Sequence, residues 1–303
     1  MEGFNPERNP YSPDWFKARA LRGLHKLDEH SWDYSDSLLL YLPGSDERYE
    51  TVQETDTPYH KLVTAPERSY LQKIAPTIGD ELPSGVEYLD LGPGTEHKEQ
   101  FLFDAFKSQG KSFVYRPVDI SKRYLRLATD YAAQQGIPVS GLQSSFEELP
   151  TKLVGNGKRF VSLGLTYSNY APSEVLPLLK SMAGEGGTVF INAQIRERTD
   201  MQALMDIYKG VAHSMTEAKM HLLGLDMERD ISSTEVTDEI KVWHGIKNLS
   251  PVLEECGAKT GDRILAFQSL RPSLETLESD ISRFSGNYKL LDTGESFVGA
   301  ILK

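Results

Sequence analysis

The sequence predicts an α/β fold: a doubly wound, mostly parallel Rossmann-like sheet with a helical N-terminal segment and an inserted lid. Three observations predict it. Between residues 86 and 195 short apolar runs alternate with amphipathic helical patterns, and strands separated by helices of this length form parallel βαβ units. The first of those runs enters a glycine-rich turn, Gly92-Pro93-Gly94, and then a helix. The 303 residues are 39% hydrophobic and 25% charged, an ordinary globular composition able to bury a large core.

In chain order, residues 1–14 are polar with three prolines and read as a poorly ordered lead-in. Trp15, Phe16, Ala18, Leu21, Leu24 and Leu27 recur at helical spacing, predicting a helix from Trp15 to His30. Residues 43–58 are polar, contain Pro43-Gly44 and read as a connector. Tyr70, Leu71 and Ile74 predict a helix over Glu67–Ile78, with Pro66 suited to its first turn. The core follows: strands Val86–Leu91, Ser112–Val118, Val139–Gln143, Lys158–Leu165 and Thr188–Ile195, separated by helices through Phe101–Phe106, Tyr124–Gln135 and Val175–Met182.

After Ile195 the rhythm changes. Asp200–Leu225 reads as one long helix, Ile231–Glu239 as a polar segment, Glu239–Ile246 and Arg263–Leu270 as strands around a Leu249–Cys256 helix, and Ser273–Phe284 as a helix. Tyr288–Leu291 and Ser296–Leu302 form an expected hairpin about Asp292-Thr293-Gly294. The expected domains are a helical segment over 1–80 that contributes to the active site and a cofactor-binding core over 81–198. A lid or specificity insertion over 199–272 and a return to the core sheet over 273–303 follow.

Composition narrows the function. With 33 Lys+Arg against 44 Asp+Glu the net charge is −11, which supplies no basic footprint for nucleic acid and repels an anionic membrane. The only cysteine, Cys256, cannot build a disulfide framework. No apolar run reaches a membrane span, and no basic-then-apolar start suggests a secretory signal. The expectation is a cytoplasmic protein with no nucleic-acid or membrane partner. The histidines are scattered without zincin spacing, so no metal site is expected.

The chemistry concentrates at strand ends. In Tyr88-Leu89-Asp90-Leu91-Gly92-Pro93-Gly94-Thr95-Glu96-His97-Lys98, glycines at the turn allow positive φ and close ligand approach. His97 stands where a dinucleotide fingerprint wants its third glycine, and Asp90 would repel a pyrophosphate. An acidic strand end suits a ligand with a cationic amino-acid end, which points to S-adenosylmethionine (SAM). A turn whose glycines serve geometry alone is the alternative. Asp119, ending the second strand, is placed for ribose hydroxyls, or else caps the next helix in competition with Ser121. Phe146 offers a face for adenine and Ser145 or Glu147 an edge, or the segment is simply a capped helix start. Tyr167, Asn169 and Tyr170 follow the fourth strand, where Asn169 could hold an amino or carboxylate group and the tyrosines a cation; the same segment also reads as a plain loop.

Together, Tyr88–Lys98, Val114–Ser121 and Leu163–Pro172 resemble the histidine-specific SAM-dependent methyltransferase family, which includes histidine Nα-methyltransferases and dimethylallyltryptophan N-methyltransferases. Tyr41, Gly44-Ser45, Tyr49-Glu50, Tyr59 and Glu67 fall at spacings similar to the family's N-terminal pattern, so the resemblance covers about residues 41–195. It implies that Tyr41, Gly92, Gly94, Lys98 and Asp119 contact SAM, that Ser145 and Phe146 flank adenine, and that Tyr59 and Asn169 hold the acceptor's amino and carboxylate end, with Tyr208 near the carboxylate. The chain departs from the family in several places. Ser145 stands where an Asp is usual, and Ala218-Lys219 where Phe-Asn is. Asp280-Ile281-Ser282 is a poor match for the Glu-x-Ser that reads imidazole, and the lid is shorter.

The function expected is SAM-dependent N-methylation of the α-amino group of an amino acid, histidine-like or other, or of a related small amine. Tyr59 and Asn169 would orient the amine. Two alternatives stand beside it. One is O- or C-methylation of another small metabolite, with His60, His213 or His221 as base. The other is a SAM-binding protein without catalysis.

Overall fold

A computed structural model describes residues 10–42, 50–52, 54–153 and 157–303. Gly44-Ser45 and Tyr49 of the resemblance, the Pro43-Gly44 pair, and most of the proposed lead-in lie outside the described residues. The chain forms two compact units, one containing Val63–Thr199 and Pro272–Lys303, the other Asn9–Leu62 and Asp200–Arg271.

The first unit is built on β3 (Val86–Leu91), β4 (Phe113–Asp119), β5 (Leu142–Gln143), β6 (Arg159–Leu163), β7 (Thr188–Gln194), β11 (Tyr288–Asp292) and β12 (Phe297–Leu302). Their order is β11-β12-β7-β6-β3-β4-β5. The pairs from β5 to β7 are parallel, whereas β12 runs antiparallel to both β7 and β11. This is the doubly wound, mostly parallel sheet the sequence predicts. Strand order reverses between β3 and β6, and the carboxyl ends of strands at such a switch point frame the ligand crevice of open α/β sheets.

Strand alternation sorts the core onto two faces. Leu89 and Leu91, Val161 and Leu163, Val189 and Ile191 join Leu176, Leu179, Leu277 and Ile281 in one buried cluster. On the opposite face Tyr88 packs against Phe106, Tyr115 and Phe160, and Phe103 against Phe113 and Tyr115. Two helices of this unit open on capping side chains. Ser121 Oγ accepts from Tyr124 N at 3.3 Å to open Lys122–Gln134, and Ser273 Oγ accepts from Thr276 N at 3.0 Å to open Leu274–Phe284. The Gly186-Gly187 turn into β7 is obligatory: a Cβ on Gly187 would stand 2.0 Å from the Ala183 carbonyl oxygen.

The second unit carries a mixed sheet of β1 (His25–Asp28), β2 (Ser31–Asp33), β8 (Ile231–Val236), β9 (Lys241–Ile246) and β10 (Arg263–Gln268), ordered β1-β2-β10-β9-β8. Its long helix spans Met201–Leu222, capped by Asp200, whose carboxylate accepts from Ala203 N at 3.0 Å.

One expected helix is cut short here and one strand goes unread, for one reason. The helix predicted over Trp15–His30 ends at Gly23, and residues 25–33 form the β1–β2 hairpin. All four β1 side chains are exposed, so no apolar alternation marks the strand. The polar stretch after Ile231 is β8, an edge strand with four consecutive exposed residues. Polar edge strands guard against further pairing, and that protection erases their sequence signal.

Candidate functional site

In the first unit the glycine turn lies at the end of β3. Gly92 and Gly94 adopt φ of +66° and +69°, a region open at little strain only to glycine. Gly92 N donates to Val118 O at 2.9 Å, which ties the turn to the end of β4. A Cβ on Gly92 would meet Thr166 Oγ1 at 3.5 Å and Phe146 Cζ at 3.7 Å, and one on Gly94 would meet nothing within 4 Å. The helix starts only at Gln100, after His97 at φ +49° stacks on Tyr131 with ring centroids 4.0 Å apart.

Asp90 is anchored at both oxygens: Ser162 Oγ donates to Oδ1 at 2.7 Å and Tyr115 OH to Oδ2 at 2.8 Å. Burial, with the nearby Glu99 charge, raises its carboxyl to about 6, against the pull of those two hydrogen bonds. Glu99 is itself buried; one oxygen lies 3.4 Å from His97 Nδ1, and the other has no hydrogen-bond partner among the described residues. An orphaned buried carboxylate oxygen beside a second carboxylate is a seat for a cationic group.

Lys98 supplies the opposite charge. Its Nζ donates to Glu67 Oε2 at 2.7 Å, and although desolvation opposes its charge, the Glu67 and Glu96 carboxylates raise its pKa. Glu67 is 1% exposed, and its other oxygen accepts from Asn192 Nδ2 at 2.9 Å and Leu165 N at 3.2 Å.

The remaining predicted residues of this unit sit around the same strand ends. Asp119 is buried, and its Oδ1 accepts from Ser121 N at 2.7 Å; Ser121, not Asp119, caps the following helix. Ser145 Oγ accepts from Glu148 N at 3.4 Å beside the short Leu149–Lys152 helix. Phe146 lies 6.1 Å from the Tyr170 ring. Asn169 is half-buried at the end of a 3-10 turn over Leu165–Asn169. Tyr167 belongs to the buried cluster that holds Phe146, Leu277 and Ile281; its hydroxyl has no partner among the described residues, and burial and the Asp280 charge push its pKa up.

The second unit brings together two of its predicted residues. The Tyr59 and Tyr208 rings meet edge-on at 6.2 Å, and Phe267 lies 5.8 Å from Tyr208. Tyr41 is half-buried at the C-cap of the Ser37–Leu40 turn. Of the histidines weighed as bases, His213 and His221 are exposed and His60 is half-buried. The buried histidine is His244, with Nε2 2.8 Å from Thr216 Oγ1 and Nδ1 2.9 Å from Thr234 Oγ1; burial pushes its pKa down to about 4. Its place on the inner side of β9, alternating with Val242 and Ile246, was readable from period two. The Glu67–Lys98 pair spans 31 positions, and Phe267 meets Tyr208 across 59, so neither carried a local signal.

The turn of the first unit therefore offers open space above Gly94, carboxylates for a cationic end and an ammonium for a carboxylate. SAM carries an ammonium, a sulfonium and a carboxylate, and these residues fit it. Among the described residues no group of three or more His, Cys, Asp or Glu could hold a metal ion, and no helix is long and apolar enough to cross a membrane.

Comparison with known proteins agrees with that chemistry. A family model described as histidine-specific methyltransferase, SAM-dependent, matches residues 36–216. A histidine N-alpha-methyltransferase of Mycobacterium tuberculosis (strain CDC 1551 / Oshkosh) is 33% identical over 100 residues, which are 32% of this chain and 31% of that protein. The match thus spans under a third of the curated relative. Among solved structures, the CMeT domain of the citrinin polyketide synthase aligns with a TM-score of 0.51 at 9% identity, over 88% of this chain and 59% of that one. That likeness concerns the fold.

Proposed function

We propose that this chain, which belongs to the histidine-specific SAM-dependent methyltransferase family and is an enzyme using SAM, methylates the α-amino group of an amino acid or a related small amine. The observation that carries the reading is the set Asp90, Gly92, Gly94 and Lys98 at the switch point of the sheet, within the stretch the family model matches.

Bound SAM supplies a methyl group on a sulfonium that needs no further activation. The protein's task is to hold an acceptor nitrogen in line with that methyl, and orientation of this kind is worth roughly 7–11 kcal/mol of a barrier. We assign Lys98 and the glycine turn to the amino-acid end of SAM, Asp119 to ribose hydroxyls, Ser145 and Phe146 to adenine, and Tyr41 to a further SAM contact. Asn169 can donate to a carboxylate and accept from an amine, so it orients the acceptor. Tyr59 and Tyr208 are assigned to acceptor binding by the family pattern, and Tyr167 by its place on the same turn as Asn169. The amine must be neutral to react, so its proton leaves before transfer.

The test is incubation with SAM and a panel of free amino acids and biogenic amines, read by mass spectrometry for products heavier by whole methyl groups. Asn169→Ala should abolish turnover while calorimetry still detects SAM binding. Unchanged turnover in that variant would remove Asn169 from the reaction, and methylation at oxygen or carbon alone would overturn the N-methyl assignment.

A further inference from the structure

Within the first unit one buried carboxylate touches both halves of the proposed chemistry. Glu67, on the Ala65–Glu81 helix, holds Lys98 through Oε2 at 2.7 Å, and through Oε1 it accepts from Leu165 N at 3.2 Å and Asn192 Nδ2 at 2.9 Å. Leu165 opens the 3-10 turn that ends at Asn169. Gly164 eases the close approach, because a Cβ there would stand a tight 3.3 Å from Glu67 Oε1 and 3.5 Å from Asn192 Oδ1.

We infer that Glu67 is a positioning residue that couples the cofactor seat at Lys98 to the acceptor turn at Leu165–Asn169. The inference rests on the roles assigned above to Lys98 and Asn169. The Lys98 side chain retains 23% exposure while that of Glu67 retains 2%, so the ammonium reaches toward ligand and the carboxylate does not. An ammonium has three donor hydrogens and can serve two carboxylates at once. When the carboxylate of a bound ligand takes a share of Lys98, Glu67 loses part of its strongest partner. Its charge then falls more fully on the Leu165 and Asn192 donors. Charge-assisted hydrogen bonds shorten and strengthen as the acceptor gains charge. The 3.2 Å bond to Leu165 has room to do so, and the Leu165–Asn169 turn stiffens when cofactor is present. The two sites are thereby coupled without sharing a contact.

Hydrogen–deuterium exchange with S-adenosylhomocysteine as probe tests this. In the wild-type protein, saturation is expected to slow exchange in a peptide covering 165–169 at least fivefold. In Glu67→Gln the acceptor geometry survives but the ion pair with Lys98 does not. In Glu67→Asp the charge survives but the shorter side chain cannot span from Lys98 to Leu165. Both variants should bind the probe within about tenfold of wild type by calorimetry and show less than a twofold slowing at 165–169. A merely structural Glu67 would change exchange equally with and without probe. Wild-type-like slowing in either variant overturns the coupling. So does the absence of slowing in wild type, or complete loss of probe binding in Glu67→Asp with its fold intact, since the carboxylate would then serve the cofactor seat alone. Failure of the N-methyl reading would appear in the product assay and leave this exchange result unchanged.

Discussion

Lys98 and Lys219 are both ammonium groups taken largely out of water, one in each unit, and they are held in opposite ways. Lys98 faces the buried Glu67 carboxylate at 2.7 Å, and its pKa is raised. Lys219 is fully buried and held by neutral groups: it donates to Ala266 O at 2.7 Å and Asp36 O at 3.1 Å, and lies 4.8 Å from the Tyr34 ring centroid. Burial pushes it down to about 7, although Asp36 and Asp33 pull the other way. Carbonyl dipoles and a ring face stabilise a cation less than a full opposite charge does. The difference teaches that burial alone does not fix a lysine's charge. The first unit keeps its cation where a ligand carboxylate is proposed to bind, and the second keeps a lysine that sheds its proton near neutrality.

The strongest way to break this comparison is Lys98→Met. Glu67 would be left buried with only the neutral donors of Asn192 and Leu165. Removing one partner of a buried pair is strongly destabilising, and here a loss of about 2–3 kcal/mol in denaturant unfolding is expected, since Lys98 is partly exposed. A loss below about 0.5 kcal/mol would mean that water already serves both groups.

Lys219→Met sharpens the other side through pH. In the unfolded chain the ammonium keeps its proton to about 10.5, and in the fold it releases it near 7. Between those values the unfolded state binds more protons, so the lysine's contribution to stability rises with pH. Below about 7 both states are protonated and the penalty of the buried charge is fully present. The stability of wild type relative to the variant should climb by about 1 kcal/mol from pH 7.5 to 8.5. A flat difference would show that the two carbonyls keep Lys219 charged.

The smallest expected effect is at Asp90, where the sign reverses. Its carboxyl is raised from 3.8 to about 6, so the folded state binds more protons between those values. The resulting stability is full below about pH 4 and is lost as pH rises through 6. Wild type should lose somewhat less than 1 kcal/mol relative to Asp90→Asn from pH 4.5 to 5.5. A difference that grows with pH would place the Asp90 pKa below its ordinary value and dissolve the contrast with Lys98.

Much of the first unit was legible because its signals are local. β3 occupies the predicted Val86–Leu91, and the turn glycines take the positive φ their type suggests. The C-terminal hairpin pairs Tyr288 with Leu302 as its two runs implied. The second unit was less legible. β1 and β8 show almost entirely exposed side chains, which leave no period to read. Lys219 was visible only as a departure from the family pattern, since nothing about a lysine on a helix announces that it is fully buried. The Glu67 hub gathers residues 67, 98, 165 and 192 from four separate stretches of chain, and only the folded sheet brings them together.

The placement of β12 bears on how the protein is made. Phe297–Leu302 does not close the sheet at its rim; it lies between β7 and β11 and is buried along its whole length. During synthesis β7 emerges more than one hundred residues before its neighbour, and the Asp200–Arg271 part of the second unit is translated in between. A ribosome still translating that segment carries a half-sheet whose β7 edge has unpaired backbone and an apolar face, the kind of edge that recruits foreign strands. Completion of the SAM-binding sheet therefore waits until β12 has been translated, long after the β7 edge it covers.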